Sequence, residues 1–158
     1  MYWELPKDEH CVYEALSAIA DERITLNENR DGAKCISTSK GKFYTISYDS
    51  QTKSIMSNDN MAYYNSRISY PIIAFLMLWG EIEYGDWILN DLKGIYWKQI
   101  NQKFKNDFMK AVDFVLVDLD KQGKDIELIK KEIERIYKQV RNLKLEMLGE
   151  KTFPPQAY

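Results

Sequence analysis

The chain has 158 residues, of which 45% are hydrophobic and 29% are charged, as in an ordinary folded globular protein. A chain of this length buries a core large enough to fold without disulfides or a structural metal. The net charge of −2 argues against nucleic-acid binding over a broad basic face. The longest apolar run, about residues 71–79, is far shorter than the roughly 20 residues that cross a bilayer.

The N-terminus and the cysteines indicate a reduced compartment. The first ten residues do not contain a basic segment followed by an apolar one, which a signal peptide would show. Cys11 and Cys35 are far apart and lack CxxC spacing. We therefore expect a cytoplasmic protein with no metal, no cofactor and no membrane association.

The first 57 residues predict one helix followed by four strands. Pro6 and the helical spacing of Val12, Leu16 and Ile19 predict a helix over residues 6–21, with His10 on its exposed side. Short runs rich in β-branched and aromatic residues then predict strands at 24–26, 33–38, 42–48 and 54–57. Tight turns, one of them at Lys40–Gly41, join the strands into an antiparallel meander that packs one face on the first helix.

The rest of the chain predicts helices. A polar stretch at 58–67 is expected to be a loop, and Pro71 then opens an apolar helix that ends near Gly80. A short helix over 86–92 precedes a long one over 97–121, which Gly123 ends. Asp125 caps a last helix that runs to about residue 148.

The last predicted helix carries a heptad stripe, which is typical of a coiled-coil seam. Its positions are spaced alternately three and four residues apart and comprise Ile126, Ile129, Ile133, Ile136, Val140, Leu143 and Met147. The short loop before this helix predicts an antiparallel hairpin with helix 97–121, which would occupy the stripe. The stripe is therefore either part of the chain's own packing or the interface of a homodimer.

These elements predict an α+β fold. It consists of an N-terminal helix with a four-stranded antiparallel meander, then a mostly helical half that ends in a long αα-hairpin. We expect a single domain over 1–158, with the helix and sheet in 1–60, the helical half in 61–150 and an extended tail in 151–158.

One cluster of polar side chains is a candidate site. It lies where the sheet half meets the helical half, a place where ligand clefts often form. In it Asp59 is a candidate general base and Arg67 a candidate anion clamp. The alternative is that the cluster only caps and turns the backbone. Its members are Asn58, Asp59, Asn60, Tyr63, Tyr64, Asn65 and Arg67.

The sequence contains no standard catalytic motif, because GxGxxG, GxxxxGK[ST], GxSxG and HExxH are all absent. The leading hypothesis is a non-catalytic interaction or regulatory protein that forms a homodimer through its C-terminal helices. The first alternative is an enzyme or small-molecule binder with its site at 58–67. The second is single-stranded nucleic-acid binding by a sheet surface with Phe43, Tyr44, Tyr48 and the lysines Lys34, Lys40, Lys42 and Lys53.

Overall fold

The computed structural model of the chain describes residues 1–38 and 41–156. Lys40, from one predicted turn, and the last two residues of the tail lie outside the described residues. The described residues form, in chain order, α1 (His10–Ala20), β1 (Ile24–Leu26), β2 (Gly32–Ile36), β3 (Phe43–Asp49), β4 (Ser54–Ser57), α2 (Asn60–Asn65), α3 (Tyr70–Trp79), α4 (Trp87–Asp91), α5 (Trp97–Lys103), α6 (Phe108–Lys121), α7 (Ile126–Arg141) and β5 (Glu146–Met147). The predicted α+β class is confirmed.

Helix α3 lies at the centre of the fold. Its residues from Pro71 to Met77 are all buried, and it contacts each of β1, β2, β3 and β4 as well as α1. A helix that is apolar on every side is stable only when other elements cover every side. The sequence assigned the place next to the sheet to α1, whereas α3 takes it and α1 packs chiefly on α3.

The sheet has five strands in the order β1-β2-β3-β4-β5. The first four form the predicted antiparallel meander, with Cys35 opposite Tyr44 and Tyr48 opposite Ile55. The fifth strand was not predicted and pairs parallel to β4, with Met147 opposite Ile55. The sheet is therefore mixed.

The extended N-terminal segment holds β5 in place. The backbone N–H of Trp3 donates to the carbonyl of Leu145 at 2.9 Å, and that of Met147 donates to the carbonyl of Met1 at 2.8 Å. The indole of Trp3 is buried and donates to the carbonyl of Ile55 at 2.9 Å. These long-range bonds explain why the last predicted helix is too long, since its final residues pair with strands instead of continuing the helix.

Two other predicted boundaries were wrong for local reasons. The stretch at 58–67 contains helix α2, which the side chain of Asp59 caps by accepting from the backbone N–H of Ala62. The helix predicted over 97–121 is two helices, α5 and α6. Lys105 and Asn106 separate them with positive φ angles of 52° and 63°, and Asp107 caps α6. The prediction rested on apolar residues that recur at helical spacing, and this pattern does not detect such a break.

The heptad stripe is largely packed inside the chain. Ile129, Ile133, Ile136 and Val140 are completely buried, and α7 contacts both α1 and α6. Ile126, at the start of α7, is partly buried, as are Leu143 and Met147, which follow its end. The chain itself therefore covers most of the residues of the heptad stripe. This arrangement corresponds to the alternative in which the stripe is part of the chain's own packing.

The carboxylate of Glu132 in α7 forms a hydrogen bond with the loop before α4. Glu132 is only 8% exposed and accepts from the backbone N–H of Gly85 at 2.6 Å. The guanidinium of Arg135 binds both carboxylate oxygens, at 2.6 and 2.9 Å. These hydrogen bonds hold the pKa of Glu132 below its ordinary value of 4.5, against the opposing effect of burial.

The burial of the stripe predicts unequal losses of stability along α7. Ile133→Ala deletes a fully buried side chain and should lower the free energy of unfolding by about 2–5 kcal/mol. Leu128→Ala removes a side chain from a residue that is 48% exposed and should cost no more than about 0.5 kcal/mol. Urea denaturation followed by circular dichroism measures both, and equal losses would contradict the described packing.

The lowered pKa of Glu132 predicts a pH-dependent contribution to stability. A carboxylate with a lowered pKa in the folded state stabilises the protein above its unfolded pKa, and this contribution is lost as the pH falls. Glu132→Gln should therefore cost about 2 kcal/mol at pH 7, and the difference from the parent should shrink below about pH 4.5. The matched control is Glu134→Gln, which removes an exposed carboxylate of the same helix. A difference that does not change with pH would contradict the role of the charge.

Candidate functional site

A cleft opens where α1, the end of the sheet and α5 meet. It consists of two adjoining cavities of about 320 and 380 Å³, each within the range of roughly 300–1,000 Å³ that is usual for ligand pockets. We call it the α1–α5 cleft. Six residues line both cavities, namely Glu14, Tyr44, Asn60, Tyr70, Asn101 and Asn106.

Helical spacing brings the polar side chains of the cleft together. His10 and Glu14 are four residues apart in α1 and therefore project from the same face. Asn101 follows Trp97 by the same spacing in α5. The indole N–H of Trp97 donates to the hydroxyl of Ser17 at 2.9 Å, which anchors α5 against α1.

His10, Glu14 and Asn101 form a hydrogen-bonded cluster. Asn101 Oδ1 lies 2.9 Å from His10 Nε2, and Asn101 Nδ2 donates to Glu14 Oε1 at 2.8 Å. The same carboxylate oxygen lies 3.4 Å from His10 Nε2. Because both neighbours of Nε2 are acceptors, the proton of a neutral His10 ring belongs on Nε2, and Nδ1 is left to accept a hydrogen bond.

Aromatic packing fixes the imidazole of His10. Its ring stacks on Phe108 with the centroids 4.5 Å apart, and it meets Trp97 edge-on at 5.3 Å. His10 is only 6% exposed, so the prediction that it lies on the exposed side of its helix was wrong. The exposed side was inferred from α1 alone, whereas α5 and α6 cover that side.

The hydroxyl and thiol groups near the cleft remain protonated at neutral pH. Burial raises the pKa of Tyr44 to about 12, and it raises the pKa of Tyr70 well above its ordinary value. Burial likewise raises the pKa of the Cys35 thiol to about 12 and that of Cys11 above its ordinary value. Tyr44 can therefore donate a hydrogen bond to a ligand, whereas the Tyr70 hydroxyl interacts with the Cys35 sulfur, and neither cysteine supplies a thiolate.

Three of the predicted site residues line the larger cavity. These are Asp59, Asn60 and Arg67. Asp59 is buried, and both of its oxygens already accept hydrogen bonds. Oδ1 accepts from Ser57 at 2.5 Å and from Ser69 at 2.7 Å, and Oδ2 accepts from Ala62 N at 3.1 Å. These contacts favour the capping alternative, even though burial raises the pKa of Asp59.

Arg67 makes its hydrogen bonds within the chain, since it pairs with Glu4 at 2.9 Å and donates to the carbonyl of Leu5 at 3.1 Å. The remaining predicted residues do not line either cavity of the cleft. Asn58 accepts from the backbone N–H of Thr45 at 2.9 Å. Tyr63 packs on Phe153 of the tail, and Tyr64 and Asn65 are exposed.

The predicted sheet surface does not assemble an aromatic platform within the described residues. Tyr44 and Tyr48 are buried on the face opposite Phe43, as their alternation along β3 indicates. Phe43 is exposed, with the ammonium of Lys34 3.9 Å from its ring centroid. Lys53 pairs with Glu81, and Lys40 lies outside the described residues.

Two further observations concern metals and membranes. Among residues 1–38 and 41–156, no group of three or more His, Cys, Asp and Glu side chains is arranged to hold a metal ion. No helix in this part of the chain combines the length and apolar character that a membrane span requires.

Comparison with known proteins identifies a family. Residues 3–146 match the family described as Uncharacterised conserved protein UCP014422. The chain belongs to this family. The match covers every element of the fold up to the start of β5, and therefore every residue that lines the α1–α5 cleft. No curated protein and no solved structure matches the chain.

Proposed function

We propose that the protein binds a small polar molecule in the α1–α5 cleft. The observation that carries this proposal is the His10–Glu14–Asn101 cluster, which lines the larger cavity and of which Glu14 and Asn101 also line the smaller one. Polar groups at a largely buried position are costly unless they are hydrogen-bonded. Here the three side chains are held by one another, and the imidazole of His10 packs against Phe108 and Trp97, which is the rigid arrangement that a binding site requires.

The lining of the cleft suits a ligand that carries both donors and acceptors. Nδ1 of a neutral His10 ring and the second oxygen of Glu14 are acceptors, and the hydroxyl of Tyr44 is a donor. Phe108 supplies an apolar wall. A small number of fixed polar groups in a partly apolar cavity is typical of small-molecule sites.

We propose binding without catalysis, because the thiols and hydroxyls discussed above, all in the described part of the chain, are not activated as nucleophiles. The neighbouring thiols and tyrosine hydroxyls have raised pKa values, so they stay protonated at neutral pH. Asp59, the candidate general base, is engaged through both oxygens in holding α2. This proposal keeps the small-molecule binder that the sequence analysis gave as its first alternative. It places the main binding residues on α1 and α5 instead of at 58–67.

A second candidate function is self-association through the outer face of α6. Phe114 and Val117 lie one turn apart on this helix and are 40% and 56% exposed. Charges of both signs flank them, including Lys110, Asp113 and Lys121. A second copy related by a two-fold axis would cover the apolar side chains and pair the opposite charges. This version of the predicted homodimer does not require the heptad residues, most of which the chain buries itself.

The binding proposal predicts a thermal shift that depends on Asn101. A panel of nucleotides, amino acids and sugar phosphates is the probe, and a ligand at about 100 times its Kd should raise the Tm by roughly 5–10 °C. Asn101→Leu should abolish the shift relative to its own baseline, and Tyr44→Phe, which deletes only a hydroxyl that lines both cavities, should reduce it. Asn90→Leu alters an exposed amide of α4 and should leave the shift unchanged. A panel without any hit, or a shift that survives Asn101→Leu, would overturn the proposal.

The self-association proposal predicts a mass that depends on Val117. Light scattering at micromolar concentration should give twice the chain mass of 18.7 kDa, and Val117→Asp should give a folded monomer. The matched control is Phe43→Asp, which introduces the same charge at an exposed apolar residue of the sheet and should leave the dimer intact. A parent protein with the mass of one chain would refute this candidate.

A further inference from the structure

The smaller cavity of the α1–α5 cleft is unusually basic for this chain. Its lining includes three cations, Arg23, Lys42 and Lys98, and a single carboxylate, Glu14. The cavity lining thus has a formal charge of +2, whereas the whole chain has a formal charge of −2. The other polar groups of the lining are neutral and include Ser37, Thr38 and Gln102. We call this part of the cleft the basic end.

Arg23 is held in place but has hydrogen-bonding capacity left. Its Nη1 donates to the carbonyl of Ile36 at 2.8 Å, and its guanidinium carbon lies 6.0 Å from the centroid of the Tyr70 ring. Nε is buried without a hydrogen bond, because the nearby oxygen of Asp21 is 3.8 Å away. Nη2 makes no hydrogen bond within the described residues. A fixed guanidinium with free N–H groups is suited to bind an oxyanion.

The two lysines of the basic end are part-buried and unpaired. The ammonium groups of Lys42 and Lys98 make neither an ion pair nor a hydrogen bond within the described residues. By contrast, Lys53 pairs with Glu81 and Lys124 pairs with Asp91. Cations that converge on one cavity repel one another, and partial burial reduces the screening by water.

The one carboxylate of the lining does not neutralise these cations. Glu14 Oε1 accepts from the amide of Asn101 and lies 3.4 Å from His10 Nε2. Asp21, the ion-pair partner of Arg23, does not line this cavity, and its other oxygen accepts from the backbone N–H of Gly94 at 2.8 Å. Asp21 offsets the charge of Arg23 from outside the cavity, so the charges without an ion-pair partner in the described residues are those of Lys42 and Lys98, and a bound anion would offset them.

We propose that the ligand of the cleft is a small phosphate monoester, whose dianionic phosphate is bound by Arg23, Lys42 and Lys98. Its organic part would then lie in the adjoining cavity, against the His10–Glu14–Asn101 cluster. This inference rests on the proposed function and specifies its ligand class. A dicarboxylate carries the same charge, but its two groups are separated, whereas all three cations line the same cavity of about 320 Å³.

Isothermal titration at low ionic strength tests the inference. The probes are inorganic phosphate, ribose 5-phosphate as a phosphate monoester and succinate as a dicarboxylate. Phosphate should bind, ribose 5-phosphate should bind more tightly because it also fills the adjoining cavity, and succinate should bind more weakly than either. Lys42→Gln and Lys98→Gln should each weaken the binding of phosphate roughly 10-fold, because each removes a charged hydrogen-bond donor.

Two further variants make the experiment specific. Arg23→Lys retains the charge but removes the planar guanidinium, and it should also weaken phosphate binding. Lys131→Gln is the matched control, since it removes an exposed lysine of α7 that makes no ion pair in the described part of the chain. Its affinity for phosphate should equal that of the parent. Circular dichroism confirms that each variant is folded.

The outcomes separate this inference from the proposed function. Failure of phosphate and ribose 5-phosphate to bind overturns the inference, and so does equal weakening by Lys131→Gln. Tighter binding of succinate than of phosphate also overturns it. If an uncharged compound nevertheless binds in a manner that depends on Asn101, the proposed function stands and only the ligand class is wrong. If no compound of any class binds, both fail.

Discussion

The burial of α3 on all sides is the constraint on which the rest of the structure depends. Ile72, Ile73, Ala74, Phe75 and Leu76 are completely buried, and a helix without a polar face can be placed only between two layers. The sheet supplies one layer and α1 supplies the other. Burying each large side chain contributes about 1.5–3 kcal/mol, so this helix dominates the choice of architecture and moves α1 away from the sheet.

The position of α1 in turn creates the cleft. Because α1 packs on α3 rather than on the sheet, a space remains at the end where Tyr44 of β3 and Tyr70 of α3 meet α1. Helix α5 closes one side of this space, anchored by the bond between Trp97 and Ser17. The cleft thus lies at the junction of the sheet half and the helical half. It draws its residues from five regions of the chain that are far apart in sequence.

The polar side chains of the cleft fall into two groups with different electrostatic balance. The His10–Glu14–Asn101 cluster is held together internally, since its hydrogen bonds join donors to acceptors within it. The basic end is not balanced, because its lysines lack partners in the described residues and Glu14 is engaged elsewhere. A balanced cluster stabilises the fold and orients a ligand, whereas unpaired charge favours a ligand of the opposite sign. The same cleft can therefore provide orientation and charge recognition from separate residues.

The sequence by itself determined the fold class, because local patterns encode it. Alternation in β3 placed Tyr44 and Tyr48 on one face and Phe43 on the other, and turn residues between short strands predicted the meander. Tertiary structure alone decided the features that join distant segments. Strand β5 exists because residues 146–147 pair with β4 and the N-terminal segment. His10 is buried because α5 and α6 cover it, and Asn101 and Lys98 become site residues only when α5 packs on α1. The polar stretch at 58–67 was a local signal for one wall of the cleft, since Asp59, Asn60 and Arg67 line the larger cavity. The i, i+4 spacing of His10 and Glu14 gains meaning only once a third residue, 87 positions after Glu14, completes the cluster.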